Sequence, residues 1–191
     1  MPMIPLFSSE QISVADAIAI EIQEDVPQKR IITPDEFRAG AVVLGDSTVV
    51  RYLTEHSEDV RHLDRWEFQV FMANLIEKRG HRVRLGPKGR DGGVDIFAER
   101  ETEYGPELVL VGCRHPNEGT KVGEPEVKLL YVEVLVRNAT RGLFVTSASF
   151  TSTALDYIEE VKYRLDGADG DRIRKWLEAL RTGAPGTEGR P

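Results

Sequence analysis

The sequence predicts an α/β domain in which helices cover both faces of a mixed β-sheet. Three observations carry this prediction. A capped amphipathic helix begins at Asp64, three strand-like segments follow it within residues 81–114, and helix and strand then alternate through residues 124–180. Neighbouring short strands followed by alternating helix and strand are typical of a mixed sheet between two helical layers.

The helix at Asp64 is the best-defined element. Asp64 and Glu67 have the spacing of a capping box, and Gly80 provides the expected end. Apolar residues recur at i, i+3, i+4 and i+7 on one face, which is the pattern of a helix packed on a core: Phe68, Phe71, Met72 and Leu75. A short helix is expected before it, from residue 46 or 47 to about His56.

The strands follow from local patterns. Residues 81–86 and 94–98 flank a glycine-rich turn, so they predict a hairpin. Residues 107–114 form an almost continuous apolar run, which suits a strand covered on both faces. Further along we expect three helices and two strands; the helices span residues 124–138, 151–163 and 172–180, and the strands 142–146 and 164–167.

Composition narrows the functional classes. The chain has 191 residues and 40% hydrophobic residues, which is ordinary globular composition. Cys113 is the only cysteine, so no disulfide framework or Cys/His zinc cluster is expected, and we interpret it as a small core residue. No apolar run approaches the ~20 residues of a membrane span. These features predict a soluble, cytoplasmic protein without a membrane partner.

The excess of acidic residues lies entirely in the N-terminal third of the chain. Residues 1–60 hold 4 Lys and Arg against 11 Asp and Glu, whereas residues 61–191 hold 21 of each. We therefore expect an acidic, unassigned segment over residues 1–45, a domain over 46–181 and a disordered tail over 182–191. Within the first segment, residues 12–22 fit a helix or a strand almost equally, and Thr33 resembles a helix start.

The main candidate for chemistry is Asp95, which follows Gly92 and Gly93 on the second predicted strand. Glycines let a backbone approach a phosphate closely, although an acid after Gly-Gly is an ordinary turn feature by itself. More specific is the order of four stretches: Phe68-Gln69, then Arg-Asp-Gly-Gly-Val-Asp-Ile ending at residue 96, Val-Gly-Cys-Arg ending at 114, and Leu-Phe-Val-Thr-Ser-Ala-Ser-Phe ending at 150.

This combination, with Val-Gly-Glu-Pro-Glu-Val over residues 122–127, resembles the Mrr-type restriction endonucleases of the PD-(D/E)xK nuclease superfamily. The resemblance covers roughly residues 52–180. It implies a restriction-endonuclease-like three-layer α/β/α fold with a mixed central sheet, and Mg²⁺-dependent hydrolysis of DNA. The family pattern uses an aspartate, a Glu or Gln, a lysine two residues later, and a glutamate from the first helix. The cation lowers the pKa of an attacking water and needs several oxygen ligands.

Carried over by position, the resemblance makes Asp95 the catalytic aspartate and metal ligand. The other three positions depart from the pattern: Gly112 has no side chain, Arg114 replaces the lysine, and the neutral Gln69 replaces the helix glutamate. Glu67 fits a capping box better than a catalytic role. Asp91 or Glu99, which share the strand parity of Asp95, could serve as replacement ligands, and Glu67 or Gln69 could also complete the site. With three departures from the pattern, hydrolysis is expected to be weak or lost.

A run without acids lies between Glu77 and Asp91, and the resemblance makes it a candidate DNA-binding surface through Arg82, Arg84, Lys88 and Arg90. A solvated hairpin is the alternative. Arg114 is expected either to bind phosphate or to form a structural ion pair with Asp95. Without a metal ion, the ion pair is the favoured interpretation. The histidines show no ligand spacing, so surface positions are expected for His62, His81 and His115.

Three functional hypotheses remain open from the sequence. The leading one is an Mrr-like protein that acts on or binds double-stranded DNA with impaired catalysis. The second is an active Mg²⁺-dependent endonuclease with a rearranged site. The third is a non-catalytic scaffold that engages itself or a protein partner through its acidic N-terminal segment.

Overall fold

The computed structural model describes residues 47–86, 93–117 and 119–182. These residues form five α-helices and five strands. A 3₁₀ helix, Ser57–His62, joins the first two helices. The helices are α1 (Ser47–Glu55), α2 (Arg65–Glu77), α3 (Glu124–Val136), α4 (Ser152–Glu160) and α5 (Gly170–Thr182), and the strands are β1 (Arg82–Leu85), β2 (Ile96–Thr102), β3 (Gly105–Arg114), β4 (Arg141–Thr146) and β5 (Leu165–Ala168).

The strands form one mixed sheet in the order β1-β2-β3-β4-β5. The first three are antiparallel, with Ile96 opposite Val111, and β4 and β5 continue parallel to β3, with Cys113 opposite Val145. The meander therefore supplies the antiparallel half, and the crossovers through α3 and α4 supply the parallel half. Both edge strands have only four residues.

Two apolar clusters cover the two faces of the sheet. On one face α1, α2 and α5 pack against alternate residues of the central strands, such as Ile96, Val111 and Cys113. On the other face α3 and α4 pack against the intervening strand residues, whose side chains point the opposite way, such as Leu110 and Phe144. Because β3 is buried on both faces, its nearly continuous apolar sequence is explained. The result is a three-layer α/β/α domain, as predicted.

Most predicted elements are present, with boundaries that shift by a few residues. Strand β2 continues to Thr102 and α4 ends at Glu160, three residues earlier than expected. The 3₁₀ helix was not predicted. The described helices have at most 13 residues, and none is long and apolar enough to cross a bilayer. The interpretations of residues 1–45, including the Thr33 helix start, and the tail prediction from residue 183 onward lie outside the described residues.

Candidate active site

Asp95 lies between a turn and β2, at the end of the sheet where β3 finishes. Gly93 in that turn has a φ of +83°, which favours glycine, and the Asp95 backbone N–H donates to the Val111 carbonyl at 2.8 Å. The half-buried carboxylate accepts two short hydrogen bonds. Gln69 Nε2 donates to Oδ1 at 2.6 Å, and the Cys113 backbone N–H donates to Oδ2 at 2.6 Å. The carboxylate thus joins α2, β2 and β3.

Gln69 reaches Asp95 because α2 is fixed at its start and packed along its length. The Asp64 side chain accepts from the Glu67 N–H, and the Glu67 side chain accepts from the Asp64 N–H, so the predicted capping box is formed. Gln69 itself is only 9% exposed. A buried amide needs a hydrogen-bond partner, and Asp95 provides one. The residue at the helix position of the family glutamate therefore donates a hydrogen bond to the aspartate.

Gly112 lies where the family pattern places a Glu or Gln. A Cβ atom built on Gly112 would lie 2.9 Å from the Gly93 carbonyl oxygen, and 3.4 Å and 3.5 Å from side-chain atoms of Leu130 and Phe144. Real Cβ atoms essentially never approach a backbone oxygen so closely. The backbone of Gly93 therefore occupies the space that a side chain at this position would need.

Arg114 forms its ion pair with Glu126 near the start of α3, and the distance from Nε to Oε1 is 3.3 Å. The other Glu126 oxygen, Oε2, accepts the Gly123 N–H at 2.9 Å and closes the first turn of α3. Among the described residues Arg114 has no ion pair with Asp95, so the preferred sequence interpretation was wrong. Sequence reasoning also missed Glu126, although its position three residues after the helix cap was a visible signal.

Glu99 does not take the place of a missing ligand. Its Oε2 atom lies 2.6 Å from Arg82 Nη2 on the neighbouring edge strand. The prediction assumed that side chains alternate regularly between the two faces of the sheet from Asp91 to Glu99. This alternation is interrupted just before β2, because Val94 and Phe97, three residues apart, pack on the same face, whereas Ile96 packs on the other. The other proposed substitute, Asp91, lies outside the described residues.

The site residues that the structure describes do not fit the family's divalent cation. A hard cation needs several oxygen ligands, and Gly112 contributes no side chain. Both Asp95 oxygens accept hydrogen bonds, and Gln69 presents its amide N–H to the aspartate. Within the described residues no group of three or more His, Cys, Asp or Glu side chains is placed to hold a metal ion.

Two of the predicted DNA-binding residues, Arg82 and Arg84, lie on β1. Arg82 and Arg84 alternate along this edge strand and are both exposed, and the side chain of Arg82 is 85% exposed. The guanidinium of Arg84 lies over the Phe97 ring, 4.1 Å from its centroid. The other two candidates, Lys88 and Arg90, lie outside the described residues.

Of the three histidines that were predicted to lie on the surface, two are partly buried. His115 stacks on Phe68 with ring centroids 5.0 Å apart, and His81 is half-buried. Burial lowers the pKa of both imidazoles, and their Nδ1 atoms have no hydrogen-bond partner among the described residues. His62 is exposed. Burial raises the pKa of the Cys113 thiol, which agrees with its predicted core role and leaves it a poor nucleophile.

Comparisons with known proteins agree with this architecture. A family model described as Mrr_cat, restriction endonuclease, matches residues 60–177. The type IV methyl-directed restriction enzyme EcoKMrr of Escherichia coli (strain K12) is 30% identical over 122 residues, covering 61% of this chain and 38% of that enzyme. The protein y4cE of Sinorhizobium fredii (strain NBRC 101917 / NGR234) is 26% identical over 128 residues, covering 66% of this chain and 33% of that protein. The chain thus spans well under half the length of these curated relatives.

Among solved structures, the restriction endonuclease FokI is similar over 83% of this chain and 33% of its own, with 12% identity and a TM-score of 0.52. The DNA modification-dependent restriction endonuclease AspBHI matches over 81% of this chain and 41% of its own, with 13% identity and a TM-score of 0.48. The similarity to FokI shows a restriction-endonuclease-like fold, which confirms the predicted fold class.

Proposed function

Because the chain belongs to the Mrr-type restriction endonuclease family, we propose that it binds double-stranded DNA through its restriction-endonuclease-like domain, with phosphodiester hydrolysis weak or lost. One observation carries the proposal. The Asp95 carboxylate is held by a side-chain amide donor from Gln69 and a backbone donor from Cys113. The family's metal-binding aspartate has become a structural hydrogen-bond acceptor.

The neighbouring positions support the loss of hydrolysis. The cation of a nuclease neutralises charge and lowers the pKa of an attacking water, so it needs carboxylate ligands that remain available. Here the Gly93 carbonyl fills the space beside Gly112, and Glu126 holds Arg114 by an ion pair. An arginine also cannot supply or accept a proton as a lysine can, because its pKa is too high.

The DNA-binding part of the proposal rests on β1 and on the family. EcoKMrr and AspBHI are named as restriction enzymes, whose substrate is DNA. Arg82 and Arg84 project from an edge strand, where a phosphate backbone can reach them, and the predicted contacts Lys88 and Arg90 continue the same run. Salt-dependent affinity for any duplex sequence is therefore expected, because phosphate contacts release condensed counterions.

Plasmid nicking tests the catalytic part. The wild-type chain and Asp95→Ala are incubated with methylated and unmethylated supercoiled plasmid in Mg²⁺ or Mn²⁺, after circular dichroism shows that both are folded. We expect no metal-dependent nicking by either protein. Nicking by the wild-type chain that Asp95→Ala abolishes would establish the active endonuclease instead, with Gln69 turning its amide oxygen towards the cation.

Fluorescence anisotropy with a labelled duplex tests the binding part. The affinity should fall by orders of magnitude between about 50 mM and 200 mM salt if several phosphates are contacted. Arg82→Gln with Arg84→Gln should weaken binding, whereas Lys162→Gln with Arg164→Gln, which removes the same charge elsewhere, should not. Absence of affinity at low salt would refute DNA binding.

A scaffold that assembles with itself is the second candidate, and the outer face of α3 favours it. Leu129, Val132 and Val136 recur at i, i+3 and i+7 on this face and are 58%, 52% and 73% exposed. One apolar helix face can pair with its own copy about a two-fold axis. Light scattering after size-exclusion chromatography would support this function if the full chain is a defined oligomer that Val132→Asp converts to monomer.

A further inference from the structure

A recess lies towards the end of the sheet opposite to the candidate active site. It has a volume of about 350 Å³ and opens between the end of α2, the face of β2 to β4 and the last turns of α5. We call it the basic cavity. Its floor begins at Val111, whose carbonyl accepts the Asp95 backbone N–H, and continues away from Asp95 through Val109, which lies four residues or about 13 Å of strand before Cys113.

The basic cavity is apolar at its floor and charged at its rim. Side chains of the sheet and Trp176 of α5 form the apolar part, with Val109, Val111 and Leu143 contributing from the strands. Five cationic and two acidic side chains surround it, although the whole chain carries a net charge of −7. The cations are Lys78, Arg79, Arg100, Arg141 and Arg172, and the acids are Glu107 and Asp166.

Both acids are already neutralised. Arg100 Nε lies 2.8 Å from Glu107 Oε2, and Arg172 Nη1 lies 2.7 Å from Asp166 Oδ1. The side chain of Arg141, half-buried at the start of β4, forms no hydrogen bond or ion pair within the described part of the chain. The cavity therefore keeps an excess of positive charge beside an apolar floor.

His81 adds an unsatisfied polar group to the same wall. Its Nδ1 atom is buried and has no hydrogen-bond partner among the described residues. Burial, followed by the charge of Arg100, lowers the pKa of His81, so the imidazole is neutral at pH 7. His81 therefore adds a polar but uncharged side chain to the wall of the cavity, and the positive charge there comes from the lysine and arginine side chains.

We propose that the basic cavity binds a small organic anion, with its apolar body on the strand floor and its carboxylate or phosphate group on Arg141. Volume, apolar lining and a few convergent polar groups are the usual properties of a small-molecule site. A fatty or aromatic carboxylate and a nucleoside monophosphate share this chemistry. The inference is independent of DNA binding and of hydrolysis at Asp95.

The test uses 8-anilinonaphthalene-1-sulfonate, an aromatic anion that fluoresces in apolar sites, titrated into the folded full chain. We expect one saturable site. Arg141→Gln should weaken it about 10-fold or more, because a charge-assisted contact is lost. Ala179→Phe, which fills the cavity from the surface of α5, should abolish it, and Lys121→Gln, an equal charge change elsewhere, should leave it unchanged.

Competition on the wild-type chain identifies the ligand class without any variant. Displacement of the dye by octanoate indicates a carboxylate, and displacement by AMP indicates a nucleotide phosphate. Displacement by duplex DNA but by neither small anion would overturn the proposal and assign the cations to the DNA surface. Dye binding that does not saturate, or that both cavity variants retain, would also overturn it.

Discussion

Replacing Gln69 by glutamate tests directly whether Asp95 has become structural. In the present site the Gln69 amide donates to Asp95 Oδ1 at 2.6 Å. Gln69→Glu replaces this donor by a second carboxylate at the same distance. At a separation of about 3 Å and an effective dielectric constant of about 20, two like charges repel by about 5 kcal/mol. The variant should therefore lose stability in a manner that depends on protonation.

The size of the loss follows from the cost of one proton. A single proton shared by the two carboxyl groups removes the repulsion and restores a hydrogen bond. For an acid with an ordinary pKa near 4.3, holding that proton costs about 3.7 kcal/mol at pH 7 and about 1 kcal/mol at pH 5. Both values are below the repulsion, so the pair takes up the proton. Its folded-state pKa is thus raised, and the destabilisation grows as pH rises above the unfolded pKa.

The assay is urea unfolding of wild type and Gln69→Glu at pH 5 and pH 7. We expect the difference in unfolding free energy to shrink from nearly 4 to about 1 kcal/mol on acidification. Gln69→Ala is the matched control, because it removes the same donor without adding charge. Its loss of stability should be nearly the same at both pH values.

Two results would refute this reasoning. A Gln69→Glu variant as stable as wild type at pH 7 would mean that the two side chains separate easily and that the Asp95 site is not rigid. A loss of stability equal at both pH values would mean that packing, and not charge, decides the cost. Either result would weaken the structural interpretation of Asp95.

Three further outcomes are expected. Gly112→Ala should lower the unfolding free energy by about 1–3 kcal/mol in urea titrations, because its Cβ would lie 2.9 Å from the Gly93 carbonyl oxygen. Arg82→Gln with Arg84→Gln should reduce the slope of log affinity for DNA against log salt by up to about 2. Since the folded-state pKa of His115 is lowered, its contribution to stability is present above pH ~6.5 and is lost as pH falls towards 5, so His115→Asn should flatten that part of the stability profile measured by urea unfolding.

Each of these outcomes has a control or a contradicting result. Gly123→Ala places a Cβ no closer than 3.5 Å to its neighbours, so it should cost less than Gly112→Ala. An unchanged salt slope in the arginine variant would move the DNA contact away from β1. A His115→Asn profile parallel to that of wild type between pH 7 and pH 5 would contradict a lowered pKa.

Local sequence patterns were enough for the fold because they determine local structure. The capping box at Asp64 and the apolar spacing after it located α2, and the apolar run before Arg114 located a strand buried on both faces. A short strand was predicted over residues 164–167, and β5 occupies Leu165–Ala168 at one edge of the sheet. Helix periods, caps and strand lengths are properties of neighbouring residues, so a single sequence contains them.

The contacts of the site could not be predicted in the same way, because they join distant parts of the chain. Asp95 and Gln69 are 26 residues apart, and the preference for Asp95 as the partner of Arg114 overlooked Glu126. The strand-parity argument for Glu99 required perfect alternation, which is interrupted before Ile96. A one-residue slip turns every side chain to the opposite face, so parity is informative only within an uninterrupted strand.

Gly112 shows that the structure around a missing side chain can leave no room for it. The sequence indicates only that the family's Glu or Gln is missing, and from the sequence alone one substitution at residue 112 restores it. In the structure the Gly93 carbonyl already lies 2.9 Å from the Cβ that such a substitution would add. Gly112 and Gly93 therefore depend on each other, because the Gly93 carbonyl can lie this close to β3 only where β3 has no side chain. A carboxylate side chain at residue 112 would therefore require a different backbone position at Gly93 as well as the substitution itself.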